Sequence, residues 1–329
     1  MARYLFIINM LKIKQVALAI ATLIGLVASD PQAAFFDAPI DHKNLSIGTY
    51  KMQYIVDEQY FNNMTEIKPR PILFYAGNEG GIWDFYQNSG FMTTTLAEEW
   101  GALVVFAEHR FFGLSWPFPQ EIAYTSPYNS YLTVEQTLAD YVDLLNMLKA
   151  KYNLQDHATI AFGGSYGGML AAWMRMKYPH VIQGSLAASA PVLLFKGANK
   201  IDLAGGFGEI TSNDFNPTGN KANDTCYNGM HDAFTRIITA ANKNDTKFIG
   251  VVAESFKTCD PITAPENVTA LIELVRNGFT YMAMTNYPYA SSFLEPMPGY
   301  PVNVSCKAFD GWTKDMADKD VMVMLNNAA

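Results

Sequence analysis

Along the first two thirds of the chain, short apolar runs alternate with longer segments whose apolar residues recur every three or four positions. Pro71–Tyr75 is one such run, bounded by proline and glycine as a buried strand is. It empties into the glycine-rich loop Ala76–Gly81. Ala102–Ala107 and Thr159–Phe162 read as further buried strands, and Gly184–Ala190 as a small-residue strand closed by Pro191. Phe91–Trp100 reads as a helix. Thr133–Tyr152 predicts an amphipathic helix, with Val134, Leu138, Tyr141, Leu144, Leu145 and Leu148 at helical spacing. Thr133 followed by Gln136 predicts a capping box at its start. Upstream, Asn44–Tyr60 mixes β-branched and aromatic residues with polar ones, which predicts a hairpin or edge strands.

Buried strands alternating with helices predict an α/β protein, a mostly parallel sheet with helices on both faces. After Pro191 the texture changes. Val192–Asn220 is rich in glycine and asparagine and reads as irregular. Asp232–Ala241, Thr246–Phe256 and Pro265–Phe279 read as helices with no strand run between them. The expected organisation is therefore a sheet domain over 30–195 and a helical insertion over 196–329.

The strand Thr159–Phe162 runs into Gly163-Gly164-Ser165-Tyr166-Gly167-Gly168, and a helix-like segment follows. This is G-x-S-x-G in the strand–turn–helix context that gives the motif meaning. A serine at the tip of so sharp a turn needs neighbours without bulk, which glycine supplies. The helix behind it aims backbone N–H groups and a positive dipole end at the place where an oxyanion would form. Ser165 is the candidate nucleophile. One oxyanion donor is expected from the backbone N–H of Tyr166, and a second from the Gly77–Gly81 loop.

A serine hydroxyl needs a base, usually histidine, and in α/β-hydrolases the base follows the nucleophile in the chain. Of His42, His109, His157, His180 and His231, only the last two follow Ser165. His180 is expected at the far end of the helix behind the serine, and nothing marks His231 as a base. His109 ends the Ala102–Ala107 strand on the active-site side of such a sheet. Its neighbours Glu108 and Arg110 favour a structural loop role. No H-x-x-x-H or paired C-x-x-C spacing occurs, so no metal and no cofactor is expected.

Composition limits the partners. Half of the 329 residues are hydrophobic and 16% are charged, which describes a globular chain. A net charge of −8 excludes nucleic acid and anionic membrane surfaces as expected partners. Arg3, Lys12 and Lys14 precede the apolar run Val16–Ala28, and small residues follow, the pattern of a secretory signal over 1–29. The run is too short for a membrane anchor. Removing that segment, three positive charges and no acidic ones, would take the charge from −8 to −8 − 3 = −11. N-x-S/T sequons at Asn44, Asn63, Asn223, Asn244, Asn267 and Asn303 agree with this route. The three cysteines, Cys226, Cys259 and Cys306, leave one thiol without a partner within the chain. A homodimer is compatible with the sequence.

Longer motifs carry a resemblance. Gly163–His180 (GGSYGGMLAAWMRMKYPH), Gly184–Val192 (GSLAASAPV), Phe74–Gly80, Val105–Gly113, Leu132–Tyr141 and Asn286–Pro298 resemble the lysosomal Pro-X carboxypeptidase and dipeptidyl peptidase II family of serine exopeptidases. The resemblance, from about Ile40 to Cys306, implies an α/β-hydrolase fold interrupted by a helical cap. It implies cleavage of proline-containing peptides through an acyl-enzyme on Ser165, with Tyr166 and the loop positions Gly77 and Asn78 flanking the oxyanion, in a lysosomal or extracellular setting. It also implies a Cys226–Cys259 disulfide, with Cys306 bonded elsewhere. Gly81 stands where the family usually has Asp, and Phe111 and Phe112 stand where it has tyrosines. The family's catalytic Asp and His lie beyond the cap, so the resemblance implies that the last strands and the triad partners fall after residue 329. The chain by itself is then expected to be a shortened, catalytically inactive member. An esterase on the same fold is a further reading, against which the cap-region likeness counts.

Overall fold

The computed structural model describes residues 30–61, 70–195, 197, 203–259, 261–262, 264–293 and 295–329. The expected signal segment 1–29 lies outside them. The chain packs as two units, one ending at Phe195 and one running from Lys196 to Ala329.

The first unit is built on a six-stranded sheet, with strands β1 (Gln32–Pro39), β2 (Thr49–Asp57), β3 (Ile72–Ala76), β4 (Leu103–Ala107), β5 (Thr159–Gly164) and β6 (Gly184–Ala188). Their spatial order is β1-β2-β4-β3-β5-β6. The β1–β2 and β2–β4 pairs are antiparallel and the others parallel, with Ile72 opposite both Leu103 and Thr159, and Ile160 opposite Gly184. The hairpin expected within Asn44–Tyr60 takes its first strand from farther upstream. β1 escaped the pattern because it is an edge strand with a single buried residue.

Helices cover both faces of this sheet: α1 (Ile82–Gln87), α2 (Ala97–Trp100, continuing a π-helical stretch Phe91–Leu96), α3 (Gln120–Ala123), α4 (Val134–Tyr152) and α5 (Tyr166–Lys177). Alternate residues of β3 and β4 face opposite ways. Phe74, Val105 and Ala107 pack with Leu138, Leu145 and Leu148 of α4 and Leu170 and Met174 of α5. Leu73, Tyr75, Val104 and Phe106 pack with Ile82, Phe85, Met92 and Ala97. Burial on both faces is why these strands read as unbroken apolar runs. With this sheet order and the strand–turn–helix at Ser165, the unit has the α/β-hydrolase fold. Thr133 caps α4 by accepting from the Gln136 N–H at 3.3 Å. The reciprocal half of the expected capping box is not made, because the Gln136 side chain instead bonds Asp41 and the His42 N–H.

The second unit is helical: α6 (Leu203–Asp214), α7 (Thr225–Asn242), α8 (Thr246–Phe256), α9 (Pro265–Met284), α10 (Pro301–Cys306) and α11 (Asp318–Ala328). Its core gathers Phe215, Ile237, Val252, Val275, Phe279, Phe309, Val321 and Leu325. Helix α6 corrects the irregular reading of Val192–Asn220. Gly205, Gly206 and Gly208 depress its intrinsic propensity, and it is anchored at its end, where Phe215 meets the Phe279 ring at 5.1 Å. The disulfide joins Cys226 to Cys306, so the Cys226–Cys259 expectation is corrected. Cys226 and Cys306 sit on buried faces of α7 and α10 in one core, with Cα atoms 5.0 Å apart, within bridging reach. Cys259 is exposed beyond α8 and is a free thiol. Among the described residues no helix is long and apolar enough to cross a membrane.

Candidate active site

Ser165 occupies the residue between β5 and α5, at φ 55° and ψ −123°. A non-glycine residue there is strained, and such strain concentrates where a side chain must be presented rather than packed. Ser165 is exposed, although both flanking elements are buried. The turn closes because its glycines meet at backbone contact. A Cβ on Gly163 would lie 2.1 Å from Gly167 O, and one on Gly167 would lie 2.7 Å from Ala76 O and 3.1 Å from Asn78 Oδ1. The motif therefore does two jobs, making the turn and bringing the Gly77–Asn78 loop against it.

That loop is fixed from beneath. The buried Tyr141 hydroxyl donates to Gly77 O at 2.7 Å. Burial raises the Tyr141 pKa well above its ordinary value, so the phenol stays a donor. The Gly77 N–H donates to Ala107 O at 3.0 Å. Of the two loop positions expected to serve an oxyanion, Gly77 and Asn78, Gly77 thus has its N–H already engaged. Asn78 is 7% exposed, and its side-chain amide reaches back toward Gly164 O at 3.5 Å. Tyr166, as the first residue of α5, has an N–H with no acceptor inside the helix.

None of the five histidines hydrogen-bonds Ser165 among the described residues. His180 is exposed beyond the end of α5. His231 lies on α7 in the second unit, where it lines a cavity of about 610 Å³ with Tyr227, Phe234, Phe279 and Arg276. His42 Nε2 donates to Asp140 Oδ1 at 2.7 Å, and His157 Nδ1 lies 3.1 Å from Arg70 O. His109 alone approaches the elbow, with Nε2 3.1 Å from the Tyr166 hydroxyl. No group of three or more His, Cys, Asp and Glu among the described residues could hold a metal ion.

What surrounds His109 is set by contacts distant along the chain. Glu108, His109 and Arg110 are all buried at the end of β4. The Glu108 carboxylate accepts from the N–H groups of Ile82 and Leu114 and from the Ser115 hydroxyl, at 3.0, 2.7 and 2.7 Å. Arg110 is bidentate to Asp140, at 2.7 and 2.8 Å, and donates to the carbonyls of Pro39, Ile40 and Tyr131. Burial works against the Arg110 charge, but Asp140 outweighs it and holds the pKa above its ordinary value. The available signal was Thr137, Asp140 and Tyr141, polar groups at i, i+3 and i+4 on the apolar face of α4. Phe111 is buried and turns its ring toward Trp116, Phe118 and Tyr124.

Of the sequon asparagines, Asn44, Asn223, Asn244, Asn267 and Asn303 are exposed, and Asn63 lies outside the described residues. Asn44 Oδ1 accepts from the Ser46 N–H and hydroxyl, and Asn267 Oδ1 from the Ala264 N–H that begins α9. Their amide nitrogens take no part in these contacts.

The sequence model of the family described as serine carboxypeptidase S28 matches residues 38–329. Lysosomal Pro-X carboxypeptidase of Homo sapiens is 37% identical over 290 residues, which cover 87% of this chain and 55% of that protein. The Bos taurus protein of the same name is 37% identical over 279 residues, 84% of this chain and 53% of its own length. A prolyl carboxy peptidase like protein of Caenorhabditis elegans is 38% identical over 260 residues, covering 77% and 49%. The chain spans about half the length of the relatives it matches.

Proposed function

Because the chain belongs to the serine carboxypeptidase S28 family, we propose that it acts as a serine exopeptidase cleaving peptides next to proline, with Ser165 as the acylated nucleophile. The observation that carries this reading is the strained Ser165, held at the start of α5 by glycines in backbone contact and exposed above them. In the first step Ser165 Oγ attacks the scissile carbonyl carbon and loses its proton to a base. The carbonyl oxygen becomes an oxyanion between the N–H groups of Tyr166 and Asn78, where the α5 dipole favours negative charge. The peptide C–N bond then breaks, the amine leaves with the proton, and water hydrolyses the ester. Proline selectivity and a lysosomal or secretory setting are drawn from the names of the relatives. The exposed sequons support that setting.

The test is labelling with a fluorophosphonate probe, followed by peptide mapping, alongside hydrolysis of free and N-blocked Pro-X and X-Pro peptides. Labelling at Ser165 that vanishes in Ser165→Ala supports the reading. Labelling at another serine refutes it. A second reading, an inactive member of the family, is favoured by the lack of any histidine bonded to Ser165 among the described residues. A folded chain that neither labels nor hydrolyses would select it.

A further inference from the structure

His109 has no exposed surface, yet it touches the residue next to the nucleophile. Its hydrogen bonds settle its tautomer. Nδ1 lies 2.6 Å from Arg110 O, and a carbonyl oxygen only accepts, so Nδ1 carries a proton. Burial lowers the ring's pKa to about 4, so above that pH the ring is neutral and Nε2 is an acceptor. Two hydroxyls flank Nε2, Tyr166 Oη at 3.1 Å and Thr137 Oγ1 at 3.2 Å. Thr137 is a donor to Thr133 O at 3.0 Å, so its single proton is engaged. The donor to Nε2 is therefore Tyr166, whose phenol burial keeps protonated, its pKa pushed up to about 12. The result is a directed chain, Tyr166 Oη–H to His109 Nε2 and His109 Nδ1–H to Arg110 O. It ends on a residue whose guanidinium is itself fixed by Asp140.

Tyr166 is the first residue of α5, so fixing its side chain fixes the helix turn that carries the candidate oxyanion donor. We propose that His109 is a positioning residue: by accepting the Tyr166 hydroxyl it holds the Tyr166 backbone N–H where an oxyanion on Ser165 chemistry would form. This rests on the reading of Ser165 as the acylated nucleophile. Acyl-transfer sites tolerate little displacement of such donors, and about 1 Å of misplacement can cost about 100-fold in rate.

Three variants separate positioning from mere packing. Tyr166→Phe removes only the hydroxyl. His109→Leu removes the acceptor, whereas His109→Gln keeps an oxygen near the place of Nε2. The first readout is the rate of fluorophosphonate labelling at Ser165 in the full chain. Tyr166→Phe and His109→Leu are expected to slow it by about 10- to 100-fold, with His109→Gln restoring most of the loss. The second readout, NMR order parameters of the Tyr166 and Gly167 amides, needs no catalysis. They should fall from a rigid value of about 0.85 toward about 0.6 in Tyr166→Phe, while α4 amides stay unchanged. Equal labelling rates for Tyr166→Phe and the parent chain would overturn the proposal. If the parent chain does not label, the acyl-transfer reading alone fails, and unchanged order parameters then overturn the positioning role. Should His109→Leu not fold, Tyr166→Phe decides the matter.

Discussion

Asp140→Asn is the sharpest test of what holds the first unit together. Asp140 and Arg110 are both fully buried, and the carboxylate accepts from Arg110 Nε and Nη2, from the Tyr50 hydroxyl at 2.7 Å, and lies 2.7 Å from His42 Nε2. Asparagine has the same shape, but it removes the negative charge and turns an amide N–H₂ toward groups that donate. Arg110 would keep its charge in a fully buried site. Removing one partner of a buried pair costs about 3–5 kcal/mol. Against a total stability of about 5–15 kcal/mol this is a large fraction. For a unit of this size it should lower the melting temperature by roughly 6–20 °C. Urea titrations followed by far-UV circular dichroism and tryptophan fluorescence would measure it. Arg110→Met leaves the carbonyls of Pro39, Ile40 and Tyr131 without their donor. It is therefore expected to cost at least as much. In the double variant no cation faces the new amide, so the two losses should fall short of their sum by about 2 kcal/mol. A single variant within about 1 kcal/mol of the parent, or strictly additive losses, would refute the reasoning.

Three further outcomes are expected. The His109 pKa is depressed to about 4 from an ordinary 6.5, so between those values the unfolded chain binds the proton that the folded chain refuses. That contribution to stability is fully present above about pH 6.5 and declines by about 3 kcal/mol as pH falls to about 4; urea midpoints in His109→Gln should lose this part of the slope. The Cys226–Cys306 bond spans 80 residues. Cys306→Ser should destabilise the second unit by about 4 kcal/mol in the chain-entropy account, while mapping without reductant finds Cys259 alkylated. Ser165→Gly, which relieves the backbone strain at φ 55°, should raise stability by about 1 kcal/mol in denaturant titrations while abolishing labelling.

By itself the sequence determined whatever depends on neighbours along the chain. The alternation of buried strands with the helix Val134–Tyr152 follows from periodicity, and periodicity is a local signal. The elbow was legible because only glycine survives where backbones meet at Gly163 and Gly167, leaving a trace in composition. Tertiary structure decided the rest. Which cysteine meets Cys226 depends on how α7 and α10 face each other in one core, and no spacing encodes that. The Gly77 N–H is engaged because β4 brings Ala107 O within reach. Read in order, Glu108, His109 and Arg110 suggest only a structural loop after a strand. They are buried instead, with partners such as Asp140 and Tyr166 arriving from 30 and 57 positions away. Burial of a polar group is costly unless its hydrogen bonds are answered. That answer is a property of the assembled fold, and it is why the surroundings of Ser165 became visible only there.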